Sequence, residues 1–483
     1  MKPRILIATA NVTRLVDLVY SDFIKEIKKN YEIEFLIEKK KKKESDNYKL
    51  DYIEEIENEN IRYDSNQSNF FIKLKNKVYE ILHYTNQIKH YLKINRYNSV
   101  KNTVLNTCAI DNPRYIVFFR IVCFLKLLFF LKIFLSVTKK LLLLFIKKRI
   151  DKKYDLILVP FKVDPYNSFE VDVIEEAKKK NIISYGIQLN WDNIPSRYTE
   201  FIPEFISVLG EQSFTYLFAT YSITPKRIFV NGSLKIESHQ KVKFKNKADS
   251  RNILGLPQDK KIICFAPSGE EFDEIFILRT LEKLKLKKKI NDNFIFYVKG
   301  YKSGKNQTIT DALWNEYRKI PKKNDFIFKN VIFWDPAKLE LNEKDFFVHF
   351  FSSIDGLIST YSSICLEAAN HGIPCMGLNY NSRDYGLLVR DNWVHKNYWP
   401  HSYSFRNNKF IKDVEVQSRE EIEDKILKFA DSVENAELYS LFKNISNLNI
   451  SNFSEQSVKS KIIESIDLVI NRPEDLEDSD KVF

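Results

Sequence analysis

The stretch Gly356-Leu-Ile-Ser-Thr-Tyr-Ser-Ser-Ile-Cys-Leu-Glu-Ala-Ala-Asn-His-Gly-Ile-Pro-Cys375 carries the clearest chemistry in the chain. A short apolar run ends in hydroxyl residues, and a helix is predicted to start at Ser362 or Ser363, both good N-caps. Gly372 suits a left-handed cap at its end, and Pro374 leads into the next strand. The free N–H groups at such a helix start form an anion site. The Ser362 and Ser363 hydroxyls can donate to phosphate oxygens. Glu367, one turn on, can accept hydrogen bonds from ribose hydroxyls. A plain capped strand–helix unit with a surface glutamate accounts for the same residues, so the stretch alone leaves both readings open.

These residues need a scaffold to aim them. A chain of 483 residues suits two large α/β domains. With 44% hydrophobic and 29% charged residues it reads as globular. The net charge is +12, and Lys, Asn and Ile are abundant together. The excess Lys is read chiefly as solvated surface, with nucleotide phosphates and an anionic membrane as the charged partners and no nucleic acid. The five cysteines, Cys108, Cys123, Cys264, Cys365 and Cys375, form no C-x-x-C pair. That argues for a reducing compartment with neither a disulfide framework nor a zinc site. The apolar run Ile5–Ala10 is too short for a signal peptide, which predicts a cytoplasmic protein.

Strand patterns fall at Arg4–Ala10, Tyr31–Ile37, Tyr154–Pro160, Asn181–Gln188, Ile202–Gly210 and Arg227–Val230, with helical patterns between several of them. Long helices interrupt this alternation from about residue 70 to 150. Strands recur at Lys260–Ala266, Phe294–Lys299, Asn330–Trp334, Gly356–Ser359 and Pro374–Leu378. Two alternating βα series predict two doubly wound parallel sheets. The basic stretch Lys241–Ser250 reads as a linker between them. The expected domains are 1–240, with the helical insertion, and 241–455, followed by a C-terminal helix and acidic tail over 456–483.

The order strand, T-x-S-S-x3-E-A-x3-G-x-P, strand resembles the donor-site helix of GT-B glycosyltransferases and of the related CDP-glycerol glycerophosphotransferases. Val230-Asn-Gly-Ser-Leu-Lys235 is similar to the segment that closes their N-terminal domain, with Leu234 replacing the usual proline. Arg251-Asn-Ile-Leu-Gly-Leu-Pro257, with the strand after it and Pro267-Ser-Gly-Glu-Glu271, is similar to the start of their C-terminal domain. The match covers about residues 150–380 and is of superfamily grade. It implies two Rossmann-like domains around a cleft, with a nucleotide-sugar on the second and the acceptor and catalytic base on the first. It implies no metal or other cofactor, because helix dipoles and basic side chains stabilise the leaving diphosphate. Carried over, the donor-binding residues are Ser268, Gly269, Tyr361, Ser362, Ser363 and Glu367. Lys299 or Lys302 serves the phosphates, since Lys299-Gly-Tyr-Lys302 stands where relatives carry a basic run such as R-x-H-P.

On the acceptor side, Gln188-Leu-Asn-Trp-Asp-Asn-Ile-Pro-Ser-Arg197 follows a predicted buried strand, and related surface-polysaccharide enzymes carry similar N-W-D-N runs. An inverting transferase needs a base to deprotonate the acceptor hydroxyl. The resemblance makes Asp192 the first candidate and Asp164 the second, with Thr13, Arg14, Asn190, Trp191, Asn193 and Glu211 as further acceptor-side residues. An Asx-type turn with Trp191 packed beneath is the alternative for Asp192. The implied activity is sugar transfer from a nucleotide-sugar to a glycan or lipid-linked acceptor in surface polysaccharide or lipopolysaccharide assembly. CDP-glycerol-type phosphotransfer and a non-catalytic scaffold that binds glycans are the alternatives. The N-terminal fingerprint of non-hydrolysing sugar-nucleotide epimerases is absent.

Other patterns exclude activities. Gly300-Tyr-Lys-Ser-Gly-Lys305 is one spacer short of a P-loop and is followed by Asn306 where Ser or Thr is required. No G-x-G-x-x-G follows the first strand, which argues against a dinucleotide site. The segment Tyr115–Ile150 is densely apolar, has no acidic residue and has no uncharged run longer than six residues. A Lys at mid-bilayer costs about 2.5–3.5 kcal/mol, so this segment is not expected to span. On one helix at about 100° per residue, Lys126, Lys132, Lys139, Lys140 and Lys147 fall within roughly 140° of one another. That pattern suits a helix lying on an anionic membrane, with a buried helical hairpin as the alternative.

Overall fold

The computed structural model describes residues 2–10, 12–38, 61–64, 70–93, 104, 114–146, 148–151, 153–161, 169–191, 194, 202–241, 246–266, 274–299, 331–334, 343–360, 363–378, 409–433, 435–449 and 456–471. The chain divides into two compact units, one of Met1–Glu237 with Ile450–Phe483 and one of Ser238–Asn449.

The first unit is built on seven strands: β1 (Arg4–Thr9), β2 (Glu32–Ile37), β3 (Ile61–Tyr63), β4 (Leu156–Phe161), β5 (Ile183–Gln188), β6 (Phe205–Val208) and β7 (Ile228–Val230). Their order is β3-β2-β1-β4-β5-β6-β7, and every pairing is parallel. Parallel sheets covered on both faces require strands that are apolar throughout, and all six residues of β4 are buried. Pro160 lacks a backbone donor, yet it fits β4 because pairing to β1 ends at Leu158. The strand order matches that of doubly wound sheets, with the switch point between β1 and β4.

The helix Val458–Asn471 belongs to this first unit although it lies at the far end of the chain. Val458, Ile462, Ile466 and Val469 enter the core beside Ile5, Ile7 and Tyr185. Its start is capped by Glu237, whose Oε1 accepts the Val458 N–H at 2.9 Å. The Ser465 hydroxyl lies 2.6 Å from that of Tyr185 and accepts from Asn231 Nδ2 at 3.2 Å.

The helical insertion comprises Phe70–Lys93, Tyr115–Phe124 and Leu128–Leu143. Val78 and Leu82 of the first pack against Leu135 and Leu142 of the third. The insertion is tied to the helix Phe169–Lys179 through the buried Asp172, which pairs with Lys75, with Lys139 at 3.8 Å and with Arg149 at 3.5 Å. Burial alone would raise the Asp172 carboxyl, but these three cations hold it below its ordinary range. The expected continuous basic stripe is therefore corrected in two places. Lys126 breaks the helix with φ at 55°, and Lys139 is buried on Asp172 and Glu175 instead of facing outward.

The second unit holds β8 (Lys261–Phe265), β9 (Phe294–Lys299), β10 (Val331–Trp334), β11 (Gly356–Ser359) and β12 (Cys375–Gly377), in the order β10-β9-β8-β11-β12. These strands are also parallel throughout, with the switch point between β8 and β11. Lys241–Ser250, expected to be a linker, includes the start of the helix Lys247–Ile253. Asn246 caps that helix by accepting the Asp249 N–H at 2.8 Å.

Candidate active site

In an open α/β sheet, ligands bind outside the carboxyl ends of the strands at the switch point, where the flanking helices diverge to opposite faces. In the second unit the ends of β8 and β11 are locked together there. The Ala266 N–H donates to Ile358 O at 2.9 Å, and the Ser359 hydroxyl donates to Ala266 O at 2.7 Å. Ser268 and Gly269 follow β8 in sequence, and Tyr361 and Ser362 follow β11; all four lie outside the described residues. The helix Ser363–Asn370 follows β11, with Ser363 half-buried as its first residue. Its start thus brings a positive helix end to the switch point.

The helix closes as the sequence predicts. Gly372 adopts φ of 76°, the Ile373 N–H donates to Ala368 O at 2.9 Å, and the Gly372 N–H donates to Ala369 O at 2.9 Å. This paired closure needs a left-handed residue at Gly372.

Glu367 lies four residues after Ser363 and is buried, at 5% exposure. The surface-glutamate alternative therefore does not hold. One turn further, His371 stacks on Phe351 at 5.1 Å. Burial, reinforced by His239, pushes its imidazole down to about 4 in spite of Glu367. Lys299 ends β9 beside Trp334 of β10; its side chain and the whole of Lys302 lie outside the described residues.

His371 makes stability depend on pH. Its folded pKa lies below the unfolded value of about 6.5, so the unfolded chain takes up a proton first as pH falls. Stability is then lost from about pH 6.5 down to about 4, by roughly 2–3 kcal/mol. His371→Phe should remove this slope while keeping the stack on Phe351. Denaturant melts of both proteins at neutral and acid pH provide the check; a wild-type-to-variant difference that stays constant with pH would rule the imidazole out.

In the first unit the switch point lies between β1 and β4. The short helical turn Val12–Leu15 follows β1, and the helix Phe169–Lys179 follows β4. A residue not anticipated from sequence joins the two. Glu170, in the first turn of that helix, accepts the Ala10 N–H at 2.8 Å and pairs with Arg14. Arg14 is thus held by Glu170 at the carboxyl edge of the sheet. Thr13 lies in the same turn, with its side chain outside the described residues, as is Asp164. The available signal for Glu170 was only an acidic residue opening a helix after a buried strand, which N-terminal capping by itself explains.

Next to this, at the end of β5, Gln188 organises the following loop. Its Nε2 donates to Asn190 O at 3.0 Å and to Trp191 O at 3.4 Å, and its Oε1 accepts the Leu209 N–H at 3.2 Å. Trp191 is buried, and its indole N–H donates to Gln212 at 3.1 Å. Asn190 is half-buried, and Asp192 and Asn193 lie outside the described residues. Glu211 is exposed as the first residue of the helix Glu211–Tyr221, which follows β6.

No family model matches the chain. No curated protein matches it in sequence. Solved structures do match in fold. The S. aureus MnaA structure with UDP has a TM-score of 0.52 at 12% identity, covering 98% of this chain and 97% of that one. A Listeria monocytogenes structure described as a UDP-N-acetylglucosamine 2-epimerase has a TM-score of 0.53 at 11% identity, covering 100% of each chain. The fold is of the GT-B type, with two Rossmann-like units.

Proposed function

We propose that the chain is a GT-B glycosyltransferase that binds a nucleotide-sugar at the β8/β11 switch point and transfers the sugar to a glycan or lipid-linked acceptor. The observation that carries this reading is the bridged pair of strand ends, Ala266 and Ser359, opening onto a helix start with a buried carboxylate, Glu367, one turn inside. The similarly folded S. aureus MnaA was solved with UDP, which adds support for a nucleotide ligand. The Ser363 hydroxyl and the helix N–H groups bind phosphate, Glu367 accepts from the ribose, and Lys299 or Lys302 offsets the diphosphate charge. No metal takes part. The enzyme works at the cytoplasmic face of a membrane, in surface polysaccharide or lipopolysaccharide assembly.

Thermal shift against UDP, GDP, CDP and CMP tests the site. One nucleotide should stabilise the protein, equally in EDTA. A response to CDP or CMP favours the glycerophosphotransfer alternative, and no response at all leaves only a glycan-binding scaffold. Ser363→Ala combined with Glu367→Ala should weaken binding by at least about tenfold, since each charge-assisted hydrogen bond is worth roughly 1.5–3 kcal/mol. Unchanged affinity by calorimetry moves the nucleotide away from this helix. The neighbouring fold also occurs in 2-epimerases. Product analysis separates the two activities: an epimerase converts the nucleotide-sugar alone, whereas a transferase releases the nucleotide only with an acceptor.

A further inference from the structure

The insertion helices carry apolar residues on both sides. In Leu128–Leu143 one side, with Leu135 and Leu142, packs against Phe70–Lys93, and Lys139 on that side is buried in the Asp172 cluster. A surface helix ordinarily turns polar residues outward on its other side. Here the other side presents Phe130 and Phe134, each 66% exposed, and Val137 at 51%. Tyr115–Phe124 continues the surface with Ile121 at 54% and Phe124 at 85%, and Leu144 extends it at 78%. An apolar surface this continuous marks an interaction site.

Charge identifies what covers it. From Arg114 to Ile150 there is no Asp or Glu, and Arg120, Lys126, Lys140 and Lys148 are exposed among the apolar residues. A second copy would bring the same positive charges face to face. An anionic lipid surface complements both the charge and the apolar side chains. Spanning is excluded for these helices. Among the described residues no helix is long and apolar enough to cross a membrane. The longer of the two, with 16 residues, reaches only about 24 Å, against about 30 Å of hydrocarbon. The positive φ at Lys126 separates the two helices.

We infer that Tyr115–Phe124 and Leu128–Leu143 lie flat in the headgroup layer of an anionic membrane, with Phe124, Phe130 and Phe134 as the inserted side chains and Arg120, Lys126, Lys140 and Lys148 on the lipid phosphates. This specifies the membrane surface of the proposed function and rests on that reading only for the acceptor's being lipid-linked.

Flotation of the full chain with phosphatidylcholine vesicles, with and without phosphatidylglycerol, tests it. The wild type should float with the anionic vesicles, and Phe124→Glu/Phe130→Glu/Phe134→Glu should weaken that partition by roughly tenfold or more. These side chains are exposed, and circular dichroism checks that the fold survives. Arg120→Gln/Lys140→Gln/Lys148→Gln is a second variant, which should abolish the preference for anionic over neutral vesicles. Undiminished flotation of either variant overturns the proposal, as does equal wild-type binding to neutral vesicles. A lipid-free dimer that the triple Glu variant dissolves also overturns it, by assigning the face to a second copy. The nucleotide thermal shift on the same proteins is a separate readout. Its absence with flotation intact removes the donor-site reading and leaves the membrane surface standing.

Discussion

Replacing Arg251 with alanine is expected to destabilise the second unit by about 3–5 kcal/mol, the usual cost of removing one partner from a buried ion pair. The guanidinium is almost fully enclosed, at 3% exposure for the residue. Its Nε donates to Ser353 O at 3.0 Å. Nη1 donates to Pro257 O and Gln258 O, each at 3.1 Å, and to Lys260 O at 2.8 Å. Nη2 donates to Asp355 Oδ2 at 2.9 Å. Asp355 also accepts the Ile262 N–H at 2.8 Å and pairs with Lys247. One side chain thus joins the helix Lys247–Ile253 to the amino ends of β8 and β11. Alanine leaves Asp355 and several carbonyls buried with fewer donors. Arg251→Lys keeps the charge but not the planar fork and should recover little of the loss. Denaturant unfolding followed by tryptophan fluorescence measures both variants. A cost under about 1 kcal/mol for alanine would falsify the assignment of Arg251 as a structural hub.

Arg251 also shows what the sequence carried and what it did not. Its segment was recognisable, but only as one that resembles the start of a second domain. The structure puts it at the amino edge of the sheet, opposite the carboxyl edge where the donor is proposed to bind. Strands such as β4 and β8 were legible because a buried parallel strand must be an apolar run bounded by turns. The helix Ser363–Asn370 was legible because its closure at Gly372 requires a residue that accepts a left-handed backbone. β3 was missed: three residues, Ile61-Arg-Tyr63, are too short for a period, and the strand exists because β2 offers it an edge. Lys139 was misplaced for a related reason. Periodicity assigns a residue to a face, but only tertiary contact decides whether that face meets lipid or a buried Asp172. Glu170 escaped because its partners, Ala10 and Arg14, are 160 and 156 positions away.

Asp192→Asn should lower turnover by roughly 10²–10⁴-fold if Asp192 is the general base. Upstream of it, Gln188 makes three hydrogen bonds and the Trp191 indole one, which fix the chain from β5 as far as Trp191. Asparagine keeps the shape of aspartate and most of its hydrogen bonds but cannot take a proton. Affinity for the nucleotide should hardly change, because the donor is proposed to sit on the second unit. A turn-capping role predicts the opposite, because asparagine is among the best residues for an Asx turn, and folding and turnover would then both survive. Steady-state kinetics with the acceptor, alongside nucleotide affinity by calorimetry, separates the two cases. Near-normal turnover eliminates Asp192 as the base and transfers the same test to Asp164→Asn. A fall in both turnover and nucleotide affinity would show instead that the β5 loop reaches the donor, and the division of donor and acceptor between the two units would have to be redrawn.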